Sequence, residues 1–142
     1  TMDFYKSAGV LDDLDLPTSH YIEKLDTLTA DKIIELKSIG RTILNDVLSK
    51  RPDQNGKVLE FGPDDYIFDF KRRFVDYKRP EMPFRDPARL RSVLEPRGAH
   101  YILTGRIHTG DDRMTTKLRQ VLETVKNDDY LASHVHYIAD YD

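Results

Sequence analysis

Histidine is the residue type in this chain with the widest chemical range. His134 and His136 stand two apart, and on a strand side chains two apart point to the same face. Their imidazoles are then neighbours, and His108 or His100 can approach from a paired strand. Imidazoles so placed hold a metal ion or serve as acid and base in RNA cleavage. This makes His108, His134 and His136 candidate catalytic residues of a small nuclease. No carboxylate spacing nearby completes a metal motif, and two histidines on the exposed face of an edge strand are the alternative. The expectation is no metal, no cofactor and no enzymatic role.

A basic stretch is the second candidate. Lys71, Arg72, Arg73, Lys78, Arg79, Arg85, Arg89, Arg91 and Arg97 are interleaved with Phe74, Tyr77 and Phe84. Arginine beside aromatic rings suits phosphate and base contact, or an acidic protein surface. Arg72, Arg73 and Arg79 are the expected binding residues. The alternative is a solvated face whose cations pair with Asp69, Asp76, Glu81 and Asp86. Glu60, Asp69 and Lys71 also resemble the acid and Asp-x-Lys arrangement of metal-dependent nucleases, where carboxylates hold Mg²⁺ and the lysine assists water. That resemblance requires residues 65–71 to be a strand.

The third candidate is residues 22–51, IEKLDTLTADKIIELKSIGRTILNDVLSKR. They read as two helices joined by a tight turn at Lys37-Ser38-Ile39-Gly40. The segment resembles the helix–hairpin–helix family, and within it the C-terminal domain of bacterial RNA polymerase alpha subunits. The resemblance implies that backbone amides opening the second helix hold a DNA phosphate. It places Ser38, Gly40, Arg41 and Thr42 at that phosphate. Ser38 stands where the first hairpin glycine would be, and Ile43 where a polar contact residue would be. A plain helix–turn–helix packing unit is the alternative.

These groups must be positioned by a chain of 142 residues, 39% hydrophobic and 33% charged, with no cysteine and a net charge of -3. That length buries a core without disulfides or metal. The missing cysteines exclude thiolate chemistry and Cys-based zinc sites, and fit a cytoplasmic location. A dedicated non-specific nucleic-acid binder is usually basic, so any such contact here must be local. No apolar run has the length of a membrane span.

Residues 1–16 read as an irregular lead-in, and Pro17 opens a short helix to Leu25. Thr29 is placed to cap a helix that Gly40 breaks, and a second helix follows to Arg51-Pro52. Asn55-Gly56 marks a turn, so residues 17–52 and 57–142 are two parts, expected to pack as one domain. Val58–Phe61 is a short strand candidate. Residues 63–78 fit either a strand at 65–71 or a helix. Pro63, Asp64 and Asp65 at one end and Lys78-Arg79 at the other favour the helix. Asp86-Pro87 opens a helix over 87–95, and Ala99–Ile107 reads as a strand. Asp111 or Asp112 starts a helix that Asn127-Asp128-Asp129 ends, and Ser133–Tyr141 is a last strand, paired with 99–107.

The expected fold is α+β, a mostly helical single domain with a small two- or three-stranded antiparallel sheet. The expected function is a non-enzymatic binding module contacting DNA or a nucleic-acid-associated protein. A regulatory protein–protein adaptor and a histidine-dependent nuclease are its alternatives.

Overall fold

The structure, a computed structural model, describes residues 26–139. The expected lead-in 1–16 and the helix from Pro17 to Leu25 lie outside the described residues, as do residues 140 and 141 of the last strand candidate. The chain divides into two compact units, residues 1–44 and 45–142, and the division falls inside helix α1 (Ala30–Ser49).

Helix α1 begins as its sequence suggests. The Thr29 hydroxyl accepts the Lys32 amide at 3.2 Å, and Asp31 sits in the first turn. The helix then runs unbroken through Lys37-Ser38-Ile39-Gly40, so the expected hairpin is not formed. A glycine inside a helix costs about 1 kcal/mol relative to alanine. That is too little to break a helix in which every neighbouring residue accepts helical geometry. Thr42 also bonds back to the Ser38 carbonyl at 3.2 Å, within the same turn.

In residues 45–142, strands and helices alternate. Strand β1 (Ile67–Lys71) leads through α2 (Pro87–Leu94) to β2 (His100–Thr104). Strand β2 leads through α3 (Asp112–Lys126) and α4 (Asp129–His134) to β3 (Val135–Ile138). The sheet order is β1-β2-β3 and every pairing is parallel, from Ile67 beside His100 to Lys71 beside Thr104, and from Tyr101 beside Val135 to Thr104 beside Ile138. This corrects the expected antiparallel sheet. A hairpin link would reverse the chain between neighbouring strands, whereas each helical crossover here returns it to the same end.

Two elements also differ from expectation. Residues 63–78 are not a helix: β1 occupies Ile67–Lys71, where pairing along β2 outweighs the dipole-like charge pattern at the segment's ends. The last strand starts at Val135, because α4 extends to His134. Local caps fix α2 and α3, which match, and also α4, which was not expected. The carboxylates of Asp86, Asp111 and Asp128 accept the amides of Arg89, Met114 and Leu131 at 3.0, 2.9 and 2.9 Å. Each such cap contributes about 1 kcal/mol.

Phe74, Leu94, Leu103, Met114, Val125 and Leu131 belong to one buried cluster. Residues 100, 102, 104, 136 and 138 alternate with those of the helix-covered face, and so share the other face of the sheet. There Phe61, itself buried, meets His100 and His136 edge-on. Asn45 holds this segment through both ends of its side-chain amide, Nδ2 donating to the Phe61 carbonyl at 2.9 Å and Oδ1 accepting the Phe61 N–H at 3.0 Å. Gln54 binds the free side of β3: its amide donates to the Val135 carbonyl at 3.1 Å and accepts the Tyr137 N–H at 2.6 Å.

Candidate functional site

In open parallel sheets ligands bind outside the carboxyl ends of the strands, which makes that edge the first place to look. Lys71 and Thr104 end β1 and β2 side by side. The chains then continue together: the Arg72 amide donates to the Thr104 carbonyl at 3.1 Å and the Phe74 amide to the Arg106 carbonyl at 3.2 Å. Phe74 and Ile107 form a last parallel bridge.

Gly105 permits this approach. A Cβ at that position would lie 2.1 Å from the Arg72 carbonyl oxygen and 2.6 Å from the Phe74 ring. Its own backbone is tied down as well, with its amide on the Ile138 carbonyl at 3.2 Å and its carbonyl accepting the Tyr137 hydroxyl at 3.0 Å. The result gathers Lys71, Arg72 and Arg73 with Arg106 at one edge, all four side chains exposed. Arg72 and Arg73 make no ion pair among the described residues. Asp69 belongs to the same strand as Lys71. Partial burial holds its carboxyl above the usual carboxylate range, and the Lys71 cation offsets only part of that.

The acidic groups further along pair elsewhere. Lys117 of α3 binds both Asp76 and Glu81, and Arg113 also reaches Asp76. The expected partnership of the basic stretch with Asp76 and Glu81 therefore holds only in part, through Arg85 and Glu81 at 3.3 Å. Arg79 stands apart from the edge, closing the short turn Asp76–Lys78 with a left-handed φ of 49°.

The candidate residues on α1 are not brought to a phosphate cradle. Ser38, Gly40, Arg41 and Thr42 are mid-helix, where backbone amides are used by the helix itself. The Asp-x-Lys reading gains the strand it required, with Asp69 and Lys71 both on β1. However, no group of three metal-ligating side chains occurs among the described residues.

The described histidines divide between the two ends of the sheet. His108 lies beyond β2, and its Nδ1 donates to the Thr109 carbonyl at 2.8 Å. His134 and His136 meet His100 at the opposite end. His134 ends α4 and so does not share a strand with His136, yet its ring stacks on His100 at 4.7 Å. Tyr130 stacks on its other side at 3.9 Å. His136 Nε2 lies 3.2 Å from His100 Nδ1, and His136 Nδ1 lies 3.0 Å from the Asp53 carboxylate.

Burial works against the charge on Asp53, but His136 and the amides of Lys57 and Asn55 outweigh it and hold the carboxyl below its usual range. Burial depresses His136, with Asp53 restoring only part. Burial, then His134 and His136, push His100 down to about 4. Asp53 was invisible in the sequence as a functional residue. The turn Asp53-Gln54-Asn55-Gly56 explains its local role, in which Oδ1 accepts the amides of Asn55 and Lys57 at 2.8 and 3.0 Å. Only folding brings its other oxygen to His136.

Among the described residues no helix is long and apolar enough to cross a membrane. Comparison with protein-family models, curated proteins and solved structures found no match for this chain.

Proposed function

We propose that this chain is a phosphate-binding module that contacts nucleic acid through the carboxyl edge of its sheet, with Lys71, Arg72, Arg73 and Arg106 on the backbone phosphates. The observation that carries this reading is the pair of hydrogen bonds from Arg72 to Thr104 and from Phe74 to Arg106, which hold two basic segments side by side. Cations carried on two adjoining segments suit a repeated anion better than dispersed ones. The start of α3 does not add to the site. Asp111 is committed to capping, and Asp112 follows it, so a phosphate is repelled there and favoured over residues 71–73.

A second reading is an acidic protein segment. Exposed Met82 and Val93 line a groove with Arg85 and Arg89, a mixture that suits apolar anchors flanked by carboxylates.

Fluorescence anisotropy with labelled single-stranded and duplex oligonucleotides tests the first reading. Binding is expected at low ionic strength, with log affinity falling as log salt rises. Arg72→Glu with Arg73→Glu is expected to weaken binding at least about ten-fold and to flatten the salt slope by roughly one unit per lost contact. Absence of binding at low salt, or an affinity indifferent to both substitutions, rejects it.

A further inference from the structure

The Asp53–His136–His100 chain takes no part in phosphate binding. We infer that it is a proton relay whose outlet, His100 Nε2, is an acid–base and nucleophilic site for uncharged esters.

The hydrogen bonds dictate the tautomers. Asp53 is an acceptor on both oxygens, taking the Asn55 and Lys57 amides on one and His136 on the other. His136 must therefore carry its proton on Nδ1, which leaves Nε2 as a lone pair. His100, 3.2 Å away, must then donate from Nδ1. Its own lone pair is on Nε2, which has no hydrogen-bond partner among the described residues and is not one of the buried unpartnered atoms. The His136 and Asp53 side chains are 2% and 1% exposed, while His100 is half-buried. The chain thus runs from a dry interior to the surface.

Such a chain accepts one proton without losing a hydrogen bond. A proton taken at His100 Nε2 is balanced by passing the Nδ1 proton to His136 Nε2, so the positive charge rests beside the Asp53 carboxylate. A second proton would set two N–H groups head-on. The groups facing His100 from the surrounding elements are His134, His136, Asp65 and Lys57. Of these only Asp65 favours its charge, so the imidazole is neutral and its lone pair is available. The order of parts is that of a catalytic triad, with acceptor, base and nucleophile in hydrogen-bond sequence, and an imidazole in the nucleophile's place. The Phe61 ring edge and the stacked His134 leave an aromatic surround suited to a neutral, planar substrate.

His100 Nε2 adds to the ester carbonyl carbon, the C–O bond breaks and the alcohol oxygen leaves with its electron pair. The Nδ1 proton passes to His136. Water then adds to the acyl carbon and the C–Nε2 bond breaks; one water proton reaches the departed alkoxide through solvent to make the alcohol, the other leaves with the carboxylate as the acid, and His136 returns its proton to His100 Nδ1. The net reaction is ester plus water to acid plus alcohol.

p-Nitrophenyl acetate is the probe. Nitrophenolate release near neutral pH, with mass spectrometry locating any acetyl group, is expected to fall about ten-fold or more in His100→Gln. Asp53→Asn removes the charge and leaves one acceptor where the carboxylate offers two, and is expected to slow release and shift its pH profile. Equal rates in wild type and His100→Gln overturn the inference. A measurement independent of variant folding is the ¹⁵N NMR tautomer pattern of the wild-type protein. Nδ1–H on both His100 and His136 is expected, and Nε2–H on either one overturns it.

Discussion

The two ends of the sheet solve opposite problems. At the carboxyl edge the backbone is crowded and the side chains are exposed: Gly105 lies against the Arg72 carbonyl while Lys71, Arg72 and Arg73 reach solvent. At the other end the side chains are crowded and mutually satisfied, with Asp53, His136 and His100 bonded in series. The first end offers charge to a ligand. The second keeps charge inside and offers one lone pair. Residue types alone do not separate these cases, since histidines occur at both ends. What separates them is whether the protein itself has already supplied a partner.

The contrast can be broken most severely at Gly105. Alanine there would place a methyl group against a carbonyl oxygen, and is expected to destabilise the fold by about 3 kcal/mol. Urea unfolding reads this directly, and an unchanged midpoint would mean the two basic segments are not held in contact.

Acidification tests the other end. His100 and His136 have folded values below the ordinary 6.5, so the unfolded chain binds protons first as pH falls. Their contribution is complete above about pH 6.5 and is lost as pH falls toward about 4, where His100 itself takes a proton in the folded protein. Asp53, also depressed, loses its contribution at still lower pH, in the same direction. Urea midpoints measured from pH 7 to pH 4 should decline, and the decline should shrink in His100→Gln.

The smallest effect is expected at Gly40, which lies inside α1 with nothing within 4 Å of an added Cβ. Gly40→Ala is expected to stabilise the helix by about 0.5–1 kcal/mol. The same substitution at Gly105 and Gly40 thus carries opposite signs. Loss of helicity in Gly40→Ala would instead restore the hairpin.

These cases mark what the sequence reveals. Helices α2 and α3 were legible because their starts are written locally, in Asp86-Pro87 and Asp111. Strands β2 and β3 were placed as neighbours, but not their sense, since alternation looks the same in parallel and antiparallel pairs. The helices between the strands carried that information. Residues 63–78 misled because acids before and bases after a segment imitate a helix dipole, while the pairing that makes β1 lies some thirty residues away in β2. Gly40 misled because a turn glycine and a tolerated helix glycine are the same letter. Arg72 and Arg73 were found from charge alone, Arg106 only from the ladder that continues past β2. His134 and His136 were found as a pair, but on a shared strand that does not exist, and Asp53 needed tertiary contact.

Gln54 has a consequence for the protein among its own copies. Strand β3 is an outer strand of this sheet, and an outer strand offers a template on which another chain can polymerise. A primary amide has the donor and acceptor of a peptide group, so the Gln54 side chain stands at β3 as a one-residue counterfeit strand. Any chain adding there must first evict it, and the loop that carries it is fastened to the same strand through Asp53 and His136. Protection against runaway sheet growth and the buried histidine chain therefore share a single hinge of sequence, so that loosening one exposes the other.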